Sequence, residues 1–176
     1  MKKLSLDELG RVTPEIYKTQ EKNPIVIILD NIRSMYNVGS IFRTADAFAV
    51  EKIFLCGITA QPPHKEIEKT ALGATETVYW QYYENTKELI TLLKQDNYKI
   101  YAVEQTDEPQ KLTQFSFSAK ERYAVVMGNE VFGVDDEVLN LCDGAIEIPQ
   151  VGVKHSLNVS VAAAIVIWEF FRQMNK

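Results

Sequence analysis

Pro24-Ile25-Val26-Ile27-Ile28-Leu29-Asp30-Asn31-Ile32-Arg33-Ser34-Met35-Tyr36-Asn37-Val38-Gly39-Ser40 opens the part of the chain where the pattern becomes regular. Residues 25–29 form a short, unbroken apolar run rich in Ile, as a strand buried on both faces should be. A polar turn follows, and residues 38–49 then read as a helix. Similar apolar runs recur at 52–56, 77–82, 99–103, 122–127 and 145–148, with helical stretches at 64–74, 86–96, 135–142 and 156–174. This alternation predicts an α/β domain built on a mainly parallel sheet flanked by helices.

The rest of the sequence sets bounds on that domain. At 176 residues, 46% apolar and 24% charged, the chain suits one globular domain and excludes a disordered one. Its longest apolar run, Val161 to Trp168, stops at Glu169 after eight residues, too short for a membrane span. The opening Met1-Lys2-Lys3-Leu4-Ser5-Leu6-Asp7-Glu8 turns acidic too early for a secretory signal. Cys56 and Cys142 have no metal-like spacing, which favours a reducing, cytoplasmic setting. Residues 1–22 read as a helical appendage, with a capping box at 5–8 and a helix start at Thr13-Pro14, ahead of a single α/β domain at 23–176. The formal charge of −5 argues mildly against nucleic acid as a partner.

In sheets of this kind ligands collect beyond the carboxyl ends of the strands. The loops there span 30–40, 104–107, 128–133 and 149–158, and three of the four combine glycine, asparagine and charge. Gly128 and Gly133 have phosphate-loop spacing, but Val134-Asp135 replaces the required Lys-Ser/Thr. There is no Gly-x-Gly-x-x-Gly for a dinucleotide. Ser156 lacks a nucleophile elbow and reads first as the N-cap of the last helix. His64, His155 and the two cysteines are too dispersed for a metal site. Arg43 either points back toward the ligand end of the sheet or pairs with Asp46 three residues on. Asn158 and Ser160, polar at the start of an apolar helix, need partners, which loop carbonyls or a ligand can supply.

Three segments together carry a family resemblance. Asn37-Val38-Gly39-Ser40-Ile41-Phe42-Arg43-Thr44-Ala45-Asp46-Ala47, Val126-Met127-Gly128-Asn129-Glu130-Val131-Phe132-Gly133-Val134 and the stretch from Ile148 to Ala162 resemble, in order, the three motifs of the SpoU/TrmH RNA 2′-O-ribose methyltransferases of the SPOUT superfamily. The resemblance implies a C-terminal trefoil knot, a homodimer packed through helices near it, and S-adenosylmethionine as cofactor. On it, Val103, Glu104, Gly128, Ile148, Ser156 and Leu157 would contact the cofactor, and Arg43, Asn37, Glu130, Ser156 and Asn158 would form the catalytic set. A guanidinium is a poor base, so Arg43 would bind the adjacent phosphate and stabilise alkoxide charge. The absence of a separate RNA-binding domain favours tRNA over ribosomal RNA. A SAM- or RNA-binding module without catalysis is the alternative, and retention of Asn37, Arg43, Glu130 and Asn158 favours the enzyme. The six acids and no bases of residues 130–147 concentrate the negative charge away from any RNA face.

Overall fold

The computed structural model describes residues 1–5 and 7–175. Leu6, inside the expected capping box, and Lys176 lie outside the described residues. Ser5 and Glu8 nevertheless make both bonds of that box: the Ser5 N–H donates to the Glu8 carboxylate at 2.8 Å, and the Glu8 N–H to Ser5 Oγ at 3.3 Å.

The chain runs through α1 (Pro14–Thr19), β1 (Asn23–Asp30), α2 (Met35–Ala47), β2 (Val50–Cys56), α3 (Lys65–Ala71), α4 (Ala74–Thr77) and β3 (Trp80–Tyr83). It continues with α5 (Thr86–Gln95), β4 (Tyr98–Val103), β5 (Gln110–Lys111), β6 (Arg122–Met127), α6 (Asp136–Leu139), β7 (Gly144–Glu147) and α7 (Val159–Met174). All strand pairs are parallel, in the order β3-β2-β1-β6-β4-β7-β5. The expected mainly parallel sheet is therefore present.

Alternate residues of β1 explain its unbroken apolar run. Ile25, Ile27 and Leu29 pack into the layer that holds α2, α3 and α7, while Val26 and Ile28 face the layer of α5 and α6. Both faces are dry, so neither admits a polar residue until Asp30.

Several boundaries depart from the sequence reading. The helix expected at 64–74 stops at Ala71, because Leu72 and Gly73 turn left-handed (φ 50° and 87°), and α4 follows as a separate turn. That turn takes Thr77 out of the expected strand 77–82, which begins instead at Trp80. The helix expected at 135–142 is only α6, capped by Asp135. Gln110–Lys111 adds a seventh strand beside β7, too short to register as an apolar run. The last helix starts at Val159, and Asn158, not Ser156, is its N-cap: Asn158 Oδ1 accepts from the Ser160 N–H at 2.9 Å. Ser156 lies in the exposed loop before it. Among the described residues, no helix is long and apolar enough to cross a membrane.

Candidate active site

Strands β1, β6, β4 and β7 are consecutive in the sheet, so the four loops singled out above emerge side by side from their carboxyl ends. Between the loops after β4, β6 and β7 lies a cavity of about 680 Å³, within the range of small-molecule sites. Val103 and Glu104, Gly128 to Val134, Ile146 to Ile148 and Ser156 to Val159 line it.

At its rim Glu130 ties the loop after β6 to the start of α2. Its carboxylate accepts from the backbone N–H groups of Arg33 (2.9 Å) and Ser34 (3.0 Å) and from Asn37 Nδ2 (3.0 Å). Ser34 caps α2, so the carboxylate sits at the positive end of that helix. An ionised carboxylate only accepts, which fixes the direction of every bond beyond it. Asn37 must donate to Glu130 and therefore offers Oδ1 to Asn158, whose Nδ2 donates at 3.1 Å. Asn158 Oδ1 is left to accept from the Ser160 N–H and hydroxyl, at 2.9 and 2.7 Å. Partial burial pushes the Glu130 carboxyl up, but the N–H donors of Arg33, Ser34 and Asn37 outweigh it and hold it below the usual range.

A second set of contacts shapes the cavity floor. Glu104 Oε2 accepts from the Val134 N–H at 3.0 Å, joining the loops after β4 and β6. Gly133 (φ 73°) passes so close that a Cβ there would lie 2.2 Å from Glu104 Oε2. Asn129 Oδ1 accepts from the N–H groups of Val131 (2.9 Å) and Phe132 (3.2 Å), and its Nδ2 donates to the Asn31 carbonyl at 2.8 Å. Behind this loop, Asp30 is 2% exposed and accepts from the Thr86 hydroxyl at 2.5 Å. Burial pushes both thiols up to about 12, which removes Cys56 and Cys142 as nucleophiles near neutral pH. No cluster of His, Cys, Asp or Glu among the described residues could hold a metal ion.

All six residues expected around a cofactor, Val103, Glu104, Gly128, Ile148, Ser156 and Leu157, line this cavity, as do Glu130 and Asn158. Asn37 stands just outside it, reached through Glu130 and Asn158. Arg43 does not line it. It is exposed on α2 without an ion-pair or hydrogen-bond partner among the described residues, and Asp46 accepts from the Thr77 hydroxyl at 2.5 Å. The pairing of Arg43 with Asp46 is thus not formed. Sequence reasoning missed Asn129, although an asparagine two residues before a turn is the usual source of such side-chain bonds. It also missed Phe132, which lines the cavity while 85% exposed.

A family model described as the SpoU rRNA Methylase family matches residues 24–168. The chain belongs to this family. It is 32% identical over 152 residues to a tRNA (guanosine(18)-2′-O)-methyltransferase of Thermus thermophilus, covering 86% of this chain and 76% of that protein. It is 33% identical to a putative TrmH family tRNA/rRNA methyltransferase of Staphylococcus saprophyticus, covering 90% of this chain and 62% of that one. Among solved structures, the A. aeolicus TrmH/SpoU tRNA modifying enzyme superposes with a TM-score of 0.79 at 27% identity, covering 91% of this chain and 79% of that one. The SpoU methyltransferase AviRb of Streptomyces viridochromogenes, in complex with AdoMet, shares the fold at 21% identity (TM-score 0.79; 89% and 63% covered). In this SpoU family member, the three resembling segments follow the carboxyl ends of β1, β6 and β7: the first within α2, the second at the loop after β6, the third at the loop into α7.

Proposed function

We propose that this chain is an S-adenosylmethionine-dependent RNA 2′-O-ribose methyltransferase, acting on tRNA in preference to ribosomal RNA. The observation that carries this reading is the chain of bonds Glu130–Asn37–Asn158 set at the rim of the cavity. Such a network presets polar groups at one edge of the pocket, as a site that must orient a reacting hydroxyl needs.

The cavity fits the methyl donor. Its apolar lining includes Val103, Ile148, Leu157 and Ala162, and the acids Glu104, Asp136 and Glu147 suit a cationic ligand. When bound, S-adenosylmethionine would supply a methyl group on a sulfonium: the ribose 2′-oxygen bonds to that carbon as the carbon–sulfur bond breaks, the thioether leaves, and the 2′-hydroxyl proton passes to water. Glu130 has its oxygens occupied by N–H donors, so its part is to hold Asn37 and the start of α2. Asn158, locked by Asn37 and Ser160, keeps the loop before α7 against that edge. Arg43 lies six residues beyond Asn37, about 9 Å along the helix. That separation suits the phosphate next to the ribose, which a guanidinium binds through two oxygens while stabilising alkoxide charge.

The same reading includes a trefoil knot at the C-terminal loops, a homodimer, a cytoplasmic setting, and a division into the appendage 1–22 and the catalytic domain 23–176. The test is calorimetry with S-adenosylmethionine followed by methyl incorporation into total tRNA and rRNA. Arg43→Ala is expected to keep cofactor binding and lose transfer by at least about 100-fold. Failure of the wild-type protein to bind the cofactor overturns the reading, and normal turnover by Arg43→Ala removes that residue from it.

A further inference from the structure

The second residue of α2, beside Asn37, is a tyrosine that none of the contacts above uses. Tyr36 is 44% exposed. Its surroundings set it apart from a tyrosine scattered on a surface. Lys69 Nζ of α3 donates to its hydroxyl at 3.3 Å and lies 5.7 Å from the ring centroid. Arg33, three residues earlier, holds Glu130 by its backbone N–H, while its exposed guanidinium has no partner among the described residues. Arg33, Ser34, Glu130 and Val131 line a shallow depression of about 310 Å³ at the start of α2. Arg43, seven residues along, falls on the same face of α2 as Tyr36.

The support beneath this patch is rigid. Thr70 Oγ1 of α3 donates to the Tyr36 carbonyl at 3.0 Å. Gly39 brings α2 so near α3 that a Cβ would sit 2.2 Å from the Ile67 carbonyl oxygen. An exposed ring with an ammonium beside it, on a helix packed closely against its neighbour at the edge of the candidate site, is what an unpaired base needs for stacking. Two basic side chains serve this end of α2: Lys69, which also pairs with Glu66 at 3.4 Å, and Arg33, without a partner among the described residues.

We propose that Tyr36 is the stacking platform for an unpaired nucleobase next to the methylated ribose, with Arg33 and Lys69 facing the flanking phosphates. This rests on the RNA methyltransferase reading and adds the residue that holds the strand in place. Stacking acts through a π face and is indifferent to salt. Phosphate contacts release counterions and steepen the salt dependence.

The test measures methyl transfer to total tRNA from cells lacking the protein, for the wild type, Tyr36→Leu, Tyr36→Trp and Arg33→Ala. Tyr36→Leu is expected to raise KM for RNA roughly 5- to 100-fold, with kcat and cofactor affinity within about twofold. Tyr36→Trp restores KM. Arg33→Ala lowers the slope of log KM against log salt by about one, which Tyr36→Leu leaves alone. A wild-type KM in Tyr36→Leu, or equal losses in the Leu and Trp variants, overturns the platform while the enzyme reading stands. A changed sedimentation coefficient in Tyr36→Leu overturns it in favour of a subunit contact. A wild type that methylates no RNA brings down both.

Discussion

Glu130 shows what a single side chain decides in this site. Its carboxylate meets three N–H donors from a segment more than 90 residues away in sequence. Replacing it by glutamine keeps the shape but presents an NH2 group to one of those donors. Glu130→Gln is therefore expected to lower turnover and to cost about 1 kcal/mol of stability at neutral pH. The pH dependence follows from the carboxyl being held below its usual range. A group depressed in the folded state stabilises above its unfolded value and loses that contribution as the pH falls through the folded one. The gap in Tm between wild type and Glu130→Gln should then be full at pH 7 and close below about pH 4. A gap that persists unchanged in acid contradicts the ionised network. The resemblance placed Glu130 with Asn37 in the catalytic set, but its bonds to Arg33 and Ser34 were unreadable, because backbone N–H groups leave no trace in residue identity. Asn158 was legible as a polar residue in need of a partner, and Asn37 as a member of the first resembling segment. That they satisfy each other follows only from the order of the strands.

At the scale of elements, α2 is placed by a glycine. Gly39 lies within the segment that resembles the family's first motif, and its reason for being glycine is contact. A Cβ there would stand 2.2 Å from both the Ile67 carbonyl oxygen and Thr70 Oγ1. The backbone oxygen cannot rotate away, so α3 must move. Gly39→Ala is expected to cost about 1–3 kcal/mol by overpacking, despite the better helix propensity of alanine. Urea unfolding checks it, as a lowered midpoint at unchanged slope. Gly152→Ala, where nothing lies within 4 Å of the added carbon, should stay at the wild-type midpoint and serves as the control. Helices with long apolar stretches were readable from periodicity. Their ends were not, because caps compete: Ser156 and Asn158 are both good N-cap residues, and only the bond from the Ser160 N–H selects Asn158. The short strand Gln110–Lys111 was invisible for a related reason, since two polar residues become a strand only by lying beside β7.

For the whole molecule, alternation of runs foretold a parallel sheet but not its order, and the order makes the site. Chain order puts β4 after β3, yet β4 pairs with β6 and β7 on the far side of β1, so four loops from distant sequence converge. The same scale bears on assembly. Helix α7 is nearly all apolar, and only one side of it is spent on the sheet: Ala163, Val166, Ile167 and Phe170 are buried, while Val161 and Trp168 are 48% and 49% exposed. These two residues are seven apart and share a face. On the proposed homodimer this face meets a second copy, and its burial repays the cost of leaving apolar area in water. Val161→Glu places a charge at the centre of that contact without touching the core beneath. Sedimentation equilibrium should give twice 20.1 kDa for the wild type and 20.1 kDa for the variant, with circular dichroism unchanged. A wild type that sediments at 20.1 kDa, or a variant that stays double, removes this face of α7 from the proposed dimer contact.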